Sequence, residues 1–308
     1  MADTGYTGFF SFRKMVRRLF FNPENQLRLP VALVVFVLFV LLSEILVVDQ
    51  FEHLTALIKI NAHTFDALKR VLRIVVILFS VVIFGKYIIN KPLGFFGFVK
   101  HRIFLNLLLG VVLGFTCQLV AGMIMHFAGW YKVTGFVWNY NDIIVWMGSI
   151  IYALIFCIET GFIEEVVFRG VLLNLVRKRY NNTIGIVVSS VVFGMLHFSG
   201  FDLGFPWWLS VLSSVLAGWL FAESYLLFGN IWLPMSFHAS WHFAMRVLGT
   251  PGVEAEDALL LVTEVNGPAM WVATKSGGAG LVEVAGMIWA AFVILFMRKI
   301  NSLKNVND

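Results

Sequence analysis

The stretch GFIEEVVFRGVLL, Gly161 to Leu173, decides how this chain is read. It carries Glu164, Glu165 and Arg169 inside a long apolar run. An ionised side chain at membrane depth costs several kcal/mol unless it is paired or faces a polar cavity. Two later apolar runs repeat the anomaly. SSVVFGMLHF, Ser189 to Phe198, holds His197, and LPMSFHASWHF, Leu233 to Phe243, holds His238 and His242. Two carboxylates, one guanidinium and three imidazoles on three hydrophobic segments predict an active site inside a membrane bundle.

Composition supports that class. The 308 residues are 59% hydrophobic and 13% charged, with a mean hydropathy of +0.85. Soluble domains average about 45–50% apolar and about 25% charged. The expectation is an all-α, polytopic bundle of about eight transmembrane helices. Spans of roughly 20 apolar residues are sought, and candidates fall at 31–48, 72–90, 103–128, 143–175, 183–198, 207–228, 231–248 and 281–297. The fourth is too long for one simple crossing, and its second half is amphipathic.

Residues 1–30, with Phe9, Phe10, Arg13, Arg17 and Arg18, read as an interfacial amphipathic segment. No removable signal peptide is expected. The chain then divides into N-terminal helices over 31–128, a core over 140–248, and a loop with the last helix over 249–308. Most Lys and Arg flank segment ends on one side, including Lys86, Lys91, Arg177, Lys178, Arg179, Arg298 and Lys299. That bias predicts a multi-pass protein of the cell (inner) membrane with both termini cytoplasmic. Lys59, Lys69, Arg70 and Arg73, in the first outside loop, run against it.

Other functions find little support. No Lys/Arg block is interleaved with aromatics, so nucleic acid is not an expected partner. Cys117 and Cys157 sit in apolar runs and read as small buried hydrophobes. Gly277, Gly278 and Gly280 form a glycine-rich turn without the Lys-Ser/Thr of a phosphate loop. Glu44, Glu223 and Glu283 lie near segment ends, where they either line a cavity or, as is expected, reach the interface.

The chemistry follows from spacing. Glu165 and Arg169 are four apart, share a helix face and can pair. Glu164 points about 100° away and is free to face a cavity. A carboxylate in a poorly solvated site becomes a better proton acceptor near neutral pH. His197 follows Phe193 by four. His238 and His242 share a face, where two imidazoles can bind zinc together or donate to a developing oxyanion.

The order Glu164-Glu165-x-x-x-Arg169, Phe193-x-x-x-His197, His238-x-x-x-His242 resembles the CAAX-processing and bacteriocin-processing intramembrane endopeptidases, the CPBP or Abi family. Phe168, Gly170 and Leu233-Pro234 are flanking features of the same kind. The resemblance covers about 140–248. It implies an eight-helix glutamate-dependent peptidase acting on a membrane-anchored protein or peptide in the lipid bilayer. By resemblance, Glu164 and His197 activate water, Glu165 and Arg169 hold the arrangement, and His238 with His242 stabilises the oxyanion. Many members carry Asn where this chain has His242.

No cofactor is expected on that reading. One alternative is a zinc-dependent membrane peptidase using His197, His238 and His242, with a Glu as ligand or base. Another is a non-catalytic scaffold or transporter of the bacteriocin-immunity type. Depth poses a puzzle: Glu164 and His197 lie far from the cytoplasmic ends of their helices and His238 lies near its own. Either the boundaries are displaced or a helix is broken.

Overall fold

A computed structural model describes residues 19–22, 27–55, 62–139, 142–198, 207–250, 257–272 and 280–307. Most of the amphipathic segment expected over 1–30 lies outside the described residues, as do Glu254, Glu256, Gly277 and Gly278. Eight helical rods occur among the described residues. α1 is Leu29–Ser43, running on through a π-helical turn, Glu44–Asp49, and Gln50–Thr55. α2 is Ala62–Ile83, ending in the π-helical Phe84–Ile88, and α3 is Ile103–Phe127. α4 is Ile143–Glu165, extended by the π-helical Val166–Leu173 and by Asn174–Arg179. α5 is Asn182–Leu196, α6 is Trp207–Phe228, α7 is Trp232–Leu248 and α8 is Leu281–Asn307. Six of these are long and apolar enough to cross a bilayer; α5 and α7, at 15 and 17 residues, are shorter.

The architecture is an all-α membrane bundle with one small addition. β1, Tyr131–Phe136, pairs antiparallel with β2, Leu261–Val265, in the register Tyr131↔Val265 to Phe136↔Leu261. The ladder is irregular between Val133 and Gly135. The Tyr131 hydroxyl donates to the Leu248 carbonyl and ties this sheet to the end of α7. There Gly249, at φ 58°, closes the helix in the left-handed conformation that glycine adopts without penalty.

The chain forms two compact units. The first comprises Met1–Ile60 and Val75–Leu93. Within it Phe36 of α1 packs on Phe84 at 5.0 Å, and the Ser80 hydroxyl donates to Ser43. The second comprises Asn61–Ile74 and Gly94–Asp308, and it holds every candidate site residue.

One span differs from expectation. Segment 72–90 begins earlier, at Ala62. Lys69, Arg70 and Arg73, read from sequence as part of the first outside loop, lie in its first turns. In the fold, α4 supplies partners for several of them. Arg70 bonds Asp66 and Glu159 at 2.7 Å each, Arg73 reaches Glu159 at 3.5 Å, and the Tyr152 hydroxyl donates to Asp66 at 2.6 Å.

Polar caps define the hairpin that carries the site. Asp142 accepts from the Ile144 N–H at the start of α4, and Asn181 accepts from the Ile184 N–H at the start of α5. Glu164 stands as far before the α4–α5 turn as His197 stands after it, so an antiparallel hairpin brings them level. His238 lies only in the second turn of α7. At about 1.5 Å per residue, the α4–α5 hairpin therefore projects on the order of 10 Å beyond the α6–α7 turn. Its tip carries the exposed Lys178 and Arg179. The depth puzzle is resolved by this projection, without a broken helix or displaced boundaries.

Lipid removes most of the hydrophobic reward for helix association, so close packing takes over. Gly110 and Gly114 of α3 face Ser236 and Ser240 of α7. A Cβ on Gly114 would meet Ser240 Oγ at 2.0 Å and Trp241 N at 2.6 Å. The Ser240 hydroxyl donates to the Gly110 carbonyl at 3.1 Å. Gly161 does the same for α4 and α7: its Cβ would stand 2.9 Å from Ala239 N and Met235 O. Gly114→Ala should therefore cost about 1–3 kcal/mol by overpacking, measured as a lowered unfolding temperature in detergent. An unchanged temperature would show that α3 and α7 do not meet this closely.

Candidate active site

Burial separates the two adjacent glutamates. The side chain of Glu165 is fully buried and that of Glu164 is 27% exposed. Arg169 is also fully buried, and its Nη1 donates to Glu165 Oε1 at 2.9 Å. Its Nη2 donates to the Gly218 carbonyl of α6 at 2.9 Å. The guanidinium lies over Phe193 at 4.6 Å and Phe221 at 5.2 Å, contacts that favour a cation shut away from water.

This arrangement depends on the π-helical stretch Val166–Leu173, the kind of irregularity that leaves carbonyls in need of donors. Asn174 supplies them: its Nδ2 bonds the carbonyls of Arg169 and Gly170 at 3.0 Å each. Gly218 must be small. A Cβ there would lie 3.0 Å from the Ser190 Cα of α5, and the resulting displacement would pull its carbonyl from Arg169.

α7 brings the imidazoles. His238 Nδ1 lies 3.0 Å from Glu165 Oε1, and His238 Nε2 lies 3.1 Å from His242 Nε2. The His238 ring stacks on Phe221 at 4.6 Å with 15° between planes. From α5, His197 sits at the helix cap with its Nδ1 2.8 Å from the Phe193 carbonyl, so that nitrogen carries the proton when the ring is neutral. Its Nε2 then faces the site as an acceptor.

These residues converge on one atom. Glu164 Oε2 lies 3.7 Å from His197 Nε2 and 3.9 Å from His238 Nε2. It is buried and lacks a direct hydrogen-bond partner. The two separations exceed hydrogen-bond length, while a bridging water fits naturally across such gaps. All six residues singled out from sequence thus lie in one connected cluster. Phe221 and the Gly218 carbonyl belong to it as well. No pattern in α6 pointed to them, because a backbone carbonyl and a ring face leave no side-chain motif.

The hydrogen-bond pattern refines the expected role of α7. With its Nδ1–H donating to Glu165, a neutral His238 presents a lone pair at Nε2 and accepts from the His242 N–H. Neither imidazole then offers a spare proton to an oxyanion. A protonated His238 donates at both nitrogens, to Glu165 and outward. The pair stores or releases a donor according to where one proton sits, so it is not two ready donors. Among the described residues, no group of three His, Cys, Asp or Glu is arranged to hold a metal ion.

Other expectations can be placed. Cys117 and Cys157 are buried free thiols. Glu223 pairs with Arg298 at 2.6 Å. Glu283 was expected at the interface, yet it is 4% exposed and packed within the second unit.

Residues 146–244 match the family model described as Rce1-like, type II CAAX prenyl endopeptidase. The stretch contains all six site residues and is similar to that family over about a third of the chain. No curated protein matches the chain. At the level of family, the match supports a membrane protease of the CAAX type.

Removing one partner from a buried ion pair leaves an uncompensated charge, at a cost of about 3–5 kcal/mol, whereas removing both is often near neutral. Arg169→Met should lower the unfolding temperature in detergent sharply. The double variant Glu165→Leu with Arg169→Met should recover much of that loss. Equal stability of wild type and Arg169→Met would contradict the pairing.

Proposed function

We propose that this protein, whose residues 146–244 are similar to type II CAAX prenyl endopeptidases, is an intramembrane endopeptidase. It hydrolyses a peptide bond of a membrane-tethered protein or peptide, with water activated by Glu164 and His197. The observation that carries this reading is the unpartnered Glu164 Oε2 set between His197 Nε2 and His238 Nε2. The family description points to prenylated substrates, which the bilayer would present to the site from its lipid side.

The reaction divides among the residues as follows. Water held by Glu164 and His197 attacks the scissile carbonyl carbon, and its proton passes to one of these bases as the new C–O bond forms. The carbonyl oxygen becomes anionic and is held by the single donor that the His238–His242 pair can turn toward it. Collapse of the intermediate breaks the C–N bond, and the stored proton moves to the departing nitrogen. Glu165 and Arg169 do not touch the substrate. They orient His238 and balance charge in a region where water is scarce. On this reading both termini are cytoplasmic, as the bias in Lys and Arg favours.

His242 serves as a donor on this reading, so an amide suffices in its place. His242→Asn should keep most of the activity, and His242→Ala should lose about 10²–10³-fold in kcat. Equal loss in both variants would remove the donor role.

Glu164→Gln should abolish cleavage of a membrane-tethered peptide in proteoliposomes while inserting and unfolding as the wild type does. Cleavage should survive exhaustive chelation. Undiminished turnover by Glu164→Gln would sink the glutamate mechanism. Loss on chelation with recovery on adding zinc would favour a metallopeptidase instead.

A further inference from the structure

Resting on the endopeptidase reading and deepening it, we propose that Arg246 is a specificity residue that captures the free C-terminal carboxylate of the substrate. The site residues account for the scissile bond but not for what lies beyond it. Three features of the second unit supply that.

The first is register. α4 and α7 run antiparallel, with Glu164 against His238 at the site and Gly161 against Ala239 beside it. Two turns farther along the same pair of helices, Arg246 lies over the ring of Phe156 at 4.8 Å. His238, His242 and Arg246 are spaced by four and so follow one face of α7. His238 to Arg246 measures about 12 Å along the axis. An extended peptide advances about 3.3 Å per residue, so the guanidinium stands three to four residues beyond the scissile carbonyl.

The second is the length of α5. It ends at Leu196, with His197 as its cap, level with Glu164, whereas α4 and α7 run on to Phe156 and Arg246.

The third is the state of the guanidinium. Phe156 carries a second cation, Arg70, at 4.5 Å. Arg70 is committed to two carboxylates, Asp66 and Glu159, at 2.7 Å each. Arg246 pairs through Nη1 with Asp257 at 3.1 Å, an aspartate whose side chain is 48% exposed, and also bonds the Cys157 thiol. A half-exposed counter-ion held by one bond exchanges readily for a carboxylate that engages the planar fork with both oxygens. The side chain of Arg246 is itself only 15% exposed, so such an exchange takes place largely away from bulk water, where charge pairing is strongest.

The bland alternative is that Arg246 merely pins the 257–260 segment, since its carbonyl also accepts from the Leu259 N–H at 2.8 Å. Binding measurements separate the two. In a Glu164→Gln background, which does not turn over, the affinity of protein in phosphatidylcholine vesicles is measured for a farnesylated peptide. One form ends in a free carboxylate and the other in a C-terminal amide. The acid should bind about tenfold or more tightly than the amide. Arg246→Gln should bring the acid down to the level of the amide. Arg246→Lys should retain part of the preference, and Asp257→Asn should preserve it.

Equal binding of acid and amide, or no binding of either, overturns the proposal. So does a preference that survives Arg246→Gln, or one that Asp257→Asn erases equally well. Cleavage by the protein with Glu164 intact is scored separately. A carboxylate preference in binding without any cleavage overturns the peptidase reading and leaves the anchor standing. Cleavage without the preference does the reverse.

Discussion

A fully buried ion pair, Glu165 with Arg169, organises this molecule. Its Coulomb energy alone does not justify its place, because desolvating both ions costs several kcal/mol each. What the pair does is commit neighbours. The Gly218 carbonyl and the rings of Phe193 and Phe221 come to the guanidinium, and His238 comes to the carboxylate. Through those contacts α5, α6 and α7 are held against one turn of α4. The same pair leaves Glu164, one residue away, outside the ion pair with an oxygen facing the gap. Adjacent carboxylates thus receive opposite environments from the 100° rotation between neighbouring helical residues.

Much of this was legible before the fold was known. Charges in apolar runs have few explanations in a membrane, so Glu164, Glu165, Arg169, His197, His238 and His242 could be named from their surroundings. The four-residue spacings also translate directly into helix faces. What escaped were features with no side-chain signature. The Gly218 carbonyl is backbone, and Phe221 is one aromatic among 31 phenylalanines. Asn174, which bonds the carbonyls of the π-helical stretch, reads in sequence as an ordinary polar residue near a helix end. The first turns of α2 misled because Asp66, Arg70 and Arg73 look solvated until Glu159 and Tyr152 are seen beside them. The small sheet of β1 and β2 is only two short strands separated by more than a hundred residues, a pairing that local patterning does not announce.

Small residues do the mechanical part. Gly110 and Gly114 against Ser236 and Ser240, Gly161 against Ala239, and Gly218 against Ser190 let five helices approach to backbone contact. Dispersion and short hydrogen bonds then act where lipid offers no hydrophobic gain. This packing fixes the depth of the imidazoles relative to Glu164, the positioning that proton transfer demands. The polar cluster and the glycine contacts are parts of one design, since each side chain at the site hangs from a helix positioned by such a contact.

If the water-activating pair is Glu164 with His197, the protein must leave a chemical trace in its own membrane. Mass spectrometry of membrane-protein termini, comparing cells that carry the wild type with cells that carry Glu164→Gln, reads that trace directly. The account predicts shortened chains, cut close to a membrane-anchored end, in the first set and intact ones in the second. Identical termini in both, with the two proteins present at equal levels, would contradict it.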